Sequence, residues 1–219
     1  MESRFNQASD PERRRSLALL GGALLVFSGR ARAGAQIYEP LADSVRGALA
    51  AQIADTRPPV RNFDTHDGRM AFVDWLDAMS QRLRARKGDD RTRLDFLRTL
   101  DYEATRAGLD RQLVLGLIQV ESGFRKYAIS NAGARGYMQV MPFWTRVIGD
   151  GDERKLFDMR TNLRYGCVIL RHYLDLDGGD LFLALGRYNG SRGRREYPDA
   201  VIEAWKKNWG YEPRVRTTA

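Results

Sequence analysis

Asp110-Arg111-Gln112-Leu113-Val114-Leu115-Gly116-Leu117-Ile118-Gln119-Val120-Glu121-Ser122-Gly123-Phe124 is the stretch from which the rest of the chain is best read. Asp110 is a good N-cap residue, and the apolar positions behind it recur at helical spacing. Val114, Leu117, Ile118 and Glu121 fall on one face, so a carboxylate continues a stripe that is otherwise made for burial. The helix is expected to end at Glu121. Burial disfavours an ionised carboxylate, and so does the partial negative charge of a helix C-terminus. A carboxyl held protonated near neutral pH is suited to general acid catalysis. Spacing alone leaves an even alternative, a terminal Glu that reaches into water.

Outward from this helix the pattern stays helical. Downstream, a polar Gly-rich loop runs from Gly123 to Gly136, and a helix follows Pro142. Residues 159 to 174 are helical, Leu181 to Leu185 open another helix broken by Tyr188-Asn189-Gly190, and Tyr197 to Trp209 form the last. Upstream, a short helix is expected near Ala42 to Ile53. Pro58-Pro59 and the Asp67-Gly68 step read as connector. Phe72, Trp75, Leu76, Met79 and Leu83 share one helical face, and Leu94, Leu97 and Leu100 give a further helix, capped from Lys87-Gly88-Asp89-Asp90. There is no tandem repeat and no convincing strand series. The expected class is mainly α, with helices packed around a groove.

Four segments stand around Glu121 in chain order: Glu121-Ser122-Gly123-Phe124, Ser130-Asn131-Ala132-Gly133-Ala134-Arg135-Gly136-Tyr137-Met138-Gln139-Val140-Met141-Pro142, Asn162-Leu163-Arg164-Tyr165-Gly166, and Arg187-Tyr188-Asn189-Gly190-Ser191. Together they resemble the soluble lytic transglycosylase (SLT) domain of glycoside hydrolase family 23, within the lysozyme-like superfamily. The resemblance covers roughly Leu94 to Trp209. It implies a lysozyme-like helical domain with a glycan-binding cleft, and it carries Glu121 over as the catalytic acid/base. It also implies substrate-binding roles for Ser130, Gln139, Met141, Tyr188 and Asn189. The reaction it implies is cleavage of the β-1,4 bond between N-acetylmuramic acid and N-acetylglucosamine in peptidoglycan, leaving 1,6-anhydro ends. Tyr137 stands where the family usually has Leu, and Arg187 where Ala is common; both lie to the side of the acid.

Other readings of the same residues stay open. Gly133 and Gly136 suit a tight loop with positive φ. Met138, Asn162 and Gly166 read best as packing or anchoring residues, and Tyr188 is balanced between a buried structural tyrosine and a functional one. Trp205 and Trp209 read as core anchors, whereas Trp144 is a candidate sugar-stacking face. No acid lies between Glu121 and Asp150, so the pair of carboxylates common in glycosidases is not supplied locally, although Asp158 is a distant candidate. A lysozyme-type hydrolase and a non-catalytic wall-binding or assembly protein are the alternatives.

The 219 residues carry a net charge of +8, which permits polyanionic partners. No basic run is interleaved with aromatics and no nucleic-acid-reading module is present, so an acidic wall polymer is preferred over nucleic acid. The single cysteine, Cys167, lies in an apolar run and reads as core. With only His66 and His172 beside it, neither a Cys/His nucleophile nor a zinc site is indicated, and no cofactor is implied.

Arg13-Arg14-Arg15, the apolar run Leu17 to Phe27 and Ala31-Arg32-Ala33 have the form of a secretory signal peptide. Its removal takes away six arginines and three acids and leaves +5. A periplasmic location follows, with an uncleaved membrane anchor as the alternative. The expected division is signal peptide 1–33, N-terminal helical extension 34–90, SLT domain 91–210 and tail 211–219. The extension is the candidate docking segment for a cell-envelope assembly.

Overall fold

The computed structural model describes residues 36 to 212 apart from 56 and 58, so the expected signal peptide and most of the tail lie outside the described residues. Among the described residues eight α-helices run in order: α1 Asp43–Ala54, α2 His66–Leu83, α3 Asp90–Arg106, α4 Arg111–Glu121, α5 Phe143–Ile148, α6 Met159–Leu176, α7 Leu181–Asn189 and α8 Glu196–Ala204. A 3-10 turn, Glu153–Phe157, precedes α6, and a π turn, Trp205–Trp209, continues α8. Among the described residues there are no strands, only isolated bridges that join Ile129 to Arg135 and Arg135 to Val140. The class is mainly α.

Five of these helices begin where the sequence places an oxygen that can accept from their first free N–H groups. Asp89 accepts from Thr92 N–H, Asp110 from Leu113 N–H, Asp158 from Thr161 N–H and Asp180 from Leu183 N–H. Thr65 does the same for α2, accepting from Gly68 N–H at 3.1 Å. This corrects the expectation of a connector at Asp67-Gly68: both residues lie in the first turn of α2, because Thr65 caps it upstream of them. Tyr188 and Asn189 also complete α7 rather than break it. The helix stops at Gly190, whose φ of 75° is left-handed, while Ser191 N–H bonds back to Gly186 O.

α4 lies at the centre, packed against α3, α8 and the π turn. Gly116 allows this approach: a Cβ there would stand 2.7 Å from the backbone nitrogen of Trp205. On another side α6 packs against α3, α7 and α1. Trp75, Met79 and Leu83 of α2 are fully buried in the same core as Leu115, Leu117 and Ile118 of α4. α2 is therefore built into the same hydrophobic core as α4. Cys167 is buried in α6, and burial raises its thiol well above the usual range.

Candidate active site around Glu121

Glu121 is the last residue of α4 and is 4% exposed. Its helix face is the one expected from spacing, since Val114, Leu117 and Ile118 are all fully buried. Burial pushes the carboxyl from its ordinary 4.5 up to about 8, and a hydrogen bond from Tyr197 acts in the opposite direction. That bond runs from the Tyr197 hydroxyl to Glu121 Oε1 at 2.5 Å. Glu121 Oε2 is buried and has no hydrogen-bond partner among the described residues. With Oε1 occupied as an acceptor, the acidic proton belongs on Oε2. Among the described residues no second carboxylate shifts this group.

Tyr197 escaped the sequence reading. It opens α8 beside Pro198 and is 76 residues from Glu121 in sequence. Only the packing of α8 on α4 brings the two together. Tyr197 and Tyr188 are both buried, and burial together with the nearby Glu121 charge raises their hydroxyl pKa values well above the usual range.

The loop after α4 is fastened from several directions. Ser122 Oγ donates to Tyr137 O at 2.7 Å. Asn162 accepts from Met138 N–H at 2.8 Å and donates to Arg135 O and Leu156 O. Gly136, at φ 76°, packs so tightly on Asn162 that a Cβ would lie 2.4 Å from its amide nitrogen. Gly166 takes up Met138 in the same way, with Met138 Sδ 2.3 Å from a Cβ placed there. The anchoring readings of Asn162, Gly166 and Met138 therefore hold.

The residues expected to bind substrate fall in two groups. Ser130 Oγ accepts from Ala134 N–H, and both amide hydrogens of Gln139 go to Ala128 O and Gly136 O. These two side chains organise the loop, and Gln139 keeps Oε1 as its remaining acceptor. Gln139 is also one of two non-glycine residues with positive φ among the described residues, 49°. Of the other three, Tyr188 lies near enough to Glu121 to feel its charge. Tyr188 donates to Met138 O at 2.7 Å, and Asn189 donates to Ser191 Oγ at 3.0 Å. Trp144, the candidate stacking face, is buried with its ring edge-on to Tyr173 and His172, and its indole N–H donates to Gln36. Trp209 is a core anchor, and Trp205 is partly buried against the core.

Both departures from the family pattern contact residues upstream of α3. Lys87 Nζ donates to the Tyr137 hydroxyl at 2.7 Å. Arg187 forms a two-pronged ion pair with Glu39, at 2.6 and 2.7 Å, and a second with the buried Asp177.

Residues 98–207, half the chain, fit the family described as the transglycosylase SLT domain. The chain belongs to the SLT family. Within it, the chain is similar to membrane-bound lytic murein transglycosylase C of Glaesserella parasuis, 40% identical over 115 residues, covering 52% of this chain and 28% of that one. The same-named protein of Actinobacillus pleuropneumoniae serotype 5b is 40% identical over 85 residues, 38% of this chain and 22% of that one. The transglycosylase of Enterobacteria phage PRD1 is 30% identical over 117 residues, 50% of this chain and 43% of that one. The SLT chain thus spans less than half the length of each of these relatives. Among solved structures, an inactive mutant of the lytic transglycosylase Slt from Pseudomonas aeruginosa aligns at a TM-score of 0.41 and 24% identity, over 63% of this chain and 26% of that one.

Proposed function

We propose that this SLT domain is a peptidoglycan lytic transglycosylase, with Glu121 as its sole general acid and base. One observation carries the proposal: a carboxyl buried at the end of α4, with a pKa near 8 and one oxygen unengaged among the described residues. At neutral pH it is protonated and able to donate.

The substrate is the β-1,4 bond between N-acetylmuramic acid and N-acetylglucosamine. Glu121 donates its Oε2 proton to the bridging oxygen as the bond to the muramyl C1 breaks. The substrate's own 2-acetamido oxygen stabilises the positive centre. The 6-hydroxyl oxygen then bonds to C1, and the Glu121 carboxylate takes the hydroxyl proton, which restores the acid. No water is consumed, and the product end is a 1,6-anhydro ring. One carboxyl suffices because the nucleophile is tethered to the substrate, and such intramolecular attack has a high effective molarity. Tyr197 is a positioning residue that orients Oε1 and steadies the carboxylate midway through the cycle. Met141, Tyr188 and Asn189 are assigned to the substrate-binding face, with Ser130 and Gln139 shaping the loop that carries it.

Export through residues 1–33 belongs to the same proposal, since it delivers the domain to its polymer. Mass spectrometry of muropeptides released from purified peptidoglycan tests the reaction type. Anhydro ends are expected, and exclusively reducing ends would make the protein a hydrolase.

A further inference from the structure

We infer that residues 36–40 form a strap that fills part of the glycan site and must be displaced for substrate to enter. This rests on the reading of Glu121, Met141 and Tyr188 as that site. Gln36 is 4% exposed, although its neighbours Ile37, Tyr38 and Glu39 are all exposed. Its side chain is therefore inserted while the chain beside it stays on the surface. The carboxamide oxygen accepts from Trp144 Nε1–H at 2.9 Å and from Met141 N–H at 3.5 Å, and its nitrogen is buried near Tyr188 with no hydrogen-bond partner among the described residues. A primary carboxamide offers the same pairing of carbonyl acceptor and N–H donor as the acetamido group of an N-acetylated sugar. The strap thus presents the site with the group its substrate would present.

Two further contacts fasten it. Glu39 pairs with Arg187, and the Tyr38 ring meets Phe143 edge-on with centroids 5.7 Å apart. Arg187 is held from below by Asp177, which is almost fully buried. The arginine that departs from the family pattern is accordingly a fixed latch for Glu39. The strap's hold is made of side chains: among the described residues no backbone–backbone hydrogen bond joins 36–41 to the remainder of the domain. Such a segment belongs to the least stable part of a fold and opens locally without unfolding the core. A glycan carrying acetamido groups competes with it for one polar site.

The test uses the full chain with Gln36→Ala, Glu39→Ala and both together. Two quantities are measured: the Kd for the N-acetylglucosamine pentamer by calorimetry, and kcat and KM for release of muropeptides from peptidoglycan. Loss of the partly exposed ion pair is expected to tighten binding about threefold. Loss of both contacts is expected to tighten it about tenfold or more, with KM falling in parallel and kcat unchanged. An unchanged or weaker Kd in the double variant overturns the strap. If neither wild type nor variants release muropeptides, the enzymatic reading fails, while the Kd comparison still decides the strap.

Discussion

The Tyr197 hydroxyl lies 2.5 Å from Glu121 Oε1, across the packing of α8 on α4. It is the polar contact that opposes burial at Glu121. The acid is therefore set by two opposing effects of unequal size, with burial the larger.

Replacing Tyr197 by Phe removes the smaller effect. The Glu121 pKa should then rise further, by about one unit, because a hydrogen bond to a charged acceptor is worth roughly 1–2 kcal/mol more than one to the neutral form. The alkaline limb of the kcat/KM profile should shift upward by that amount. A profile that keeps its wild-type limb would show that Tyr197 does not act on the acid.

Glu121 also makes stability depend on pH. Below the unfolded value of about 4.5 the carboxyl is protonated in both states. Between 4.5 and 8 the folded chain keeps a proton that the unfolded chain has released, so stability falls as pH rises. Above 8 the loss is complete. Glu121→Gln has no such group, so its stability relative to wild type should climb across that window, by up to about 1.4 kcal/mol per pH unit. Urea melts of the two proteins from pH 4 to pH 9 check this; a constant difference would contradict it.

Asn162 holds three backbone groups of the loop and its surroundings. Asn162→Ala leaves Met138 N–H and two carbonyls without it, in a fully buried setting. A loss of about 2–4 kcal/mol is expected in chemical denaturation, with muropeptide release reduced further because the loop loosens. Full activity and wild-type stability would remove the anchoring role.

Glu103 on α3 accepts from Arg164 on α6 at 2.9 Å, and both side chains are buried. Glu103→Ala strands the guanidinium and should cost about 3–5 kcal/mol. The pH limb set by Glu121 should not move, because Glu103 is not among the groups that perturb that carboxyl.

The helical frame was legible because its signals are local. A stripe such as Val114, Leu117, Ile118 needs only five consecutive residues, and the caps at Asp89 and Asp110 sit beside the helices they start. Asp67-Gly68 has the composition of a connector, yet Gly68 N–H is the group that Thr65 caps. The buried acid was readable because the stripe ends on it. Tyr197 and Gln36 were not, since they reach the site from 76 and 108 residues away from their partners and no period in the chain marks them. Arg187 and Tyr137 were noticed as departures, but their partners Glu39 and Lys87 are visible only in the fold.

The most direct measurement is muropeptide release by Glu121→Gln beside wild type on the same purified peptidoglycan, with circular dichroism confirming that both are folded. The amide cannot give up a proton to the bridging oxygen, so release should fall by at least about a thousandfold. A folded variant that releases muropeptides at the wild-type rate would contradict the assignment of Glu121.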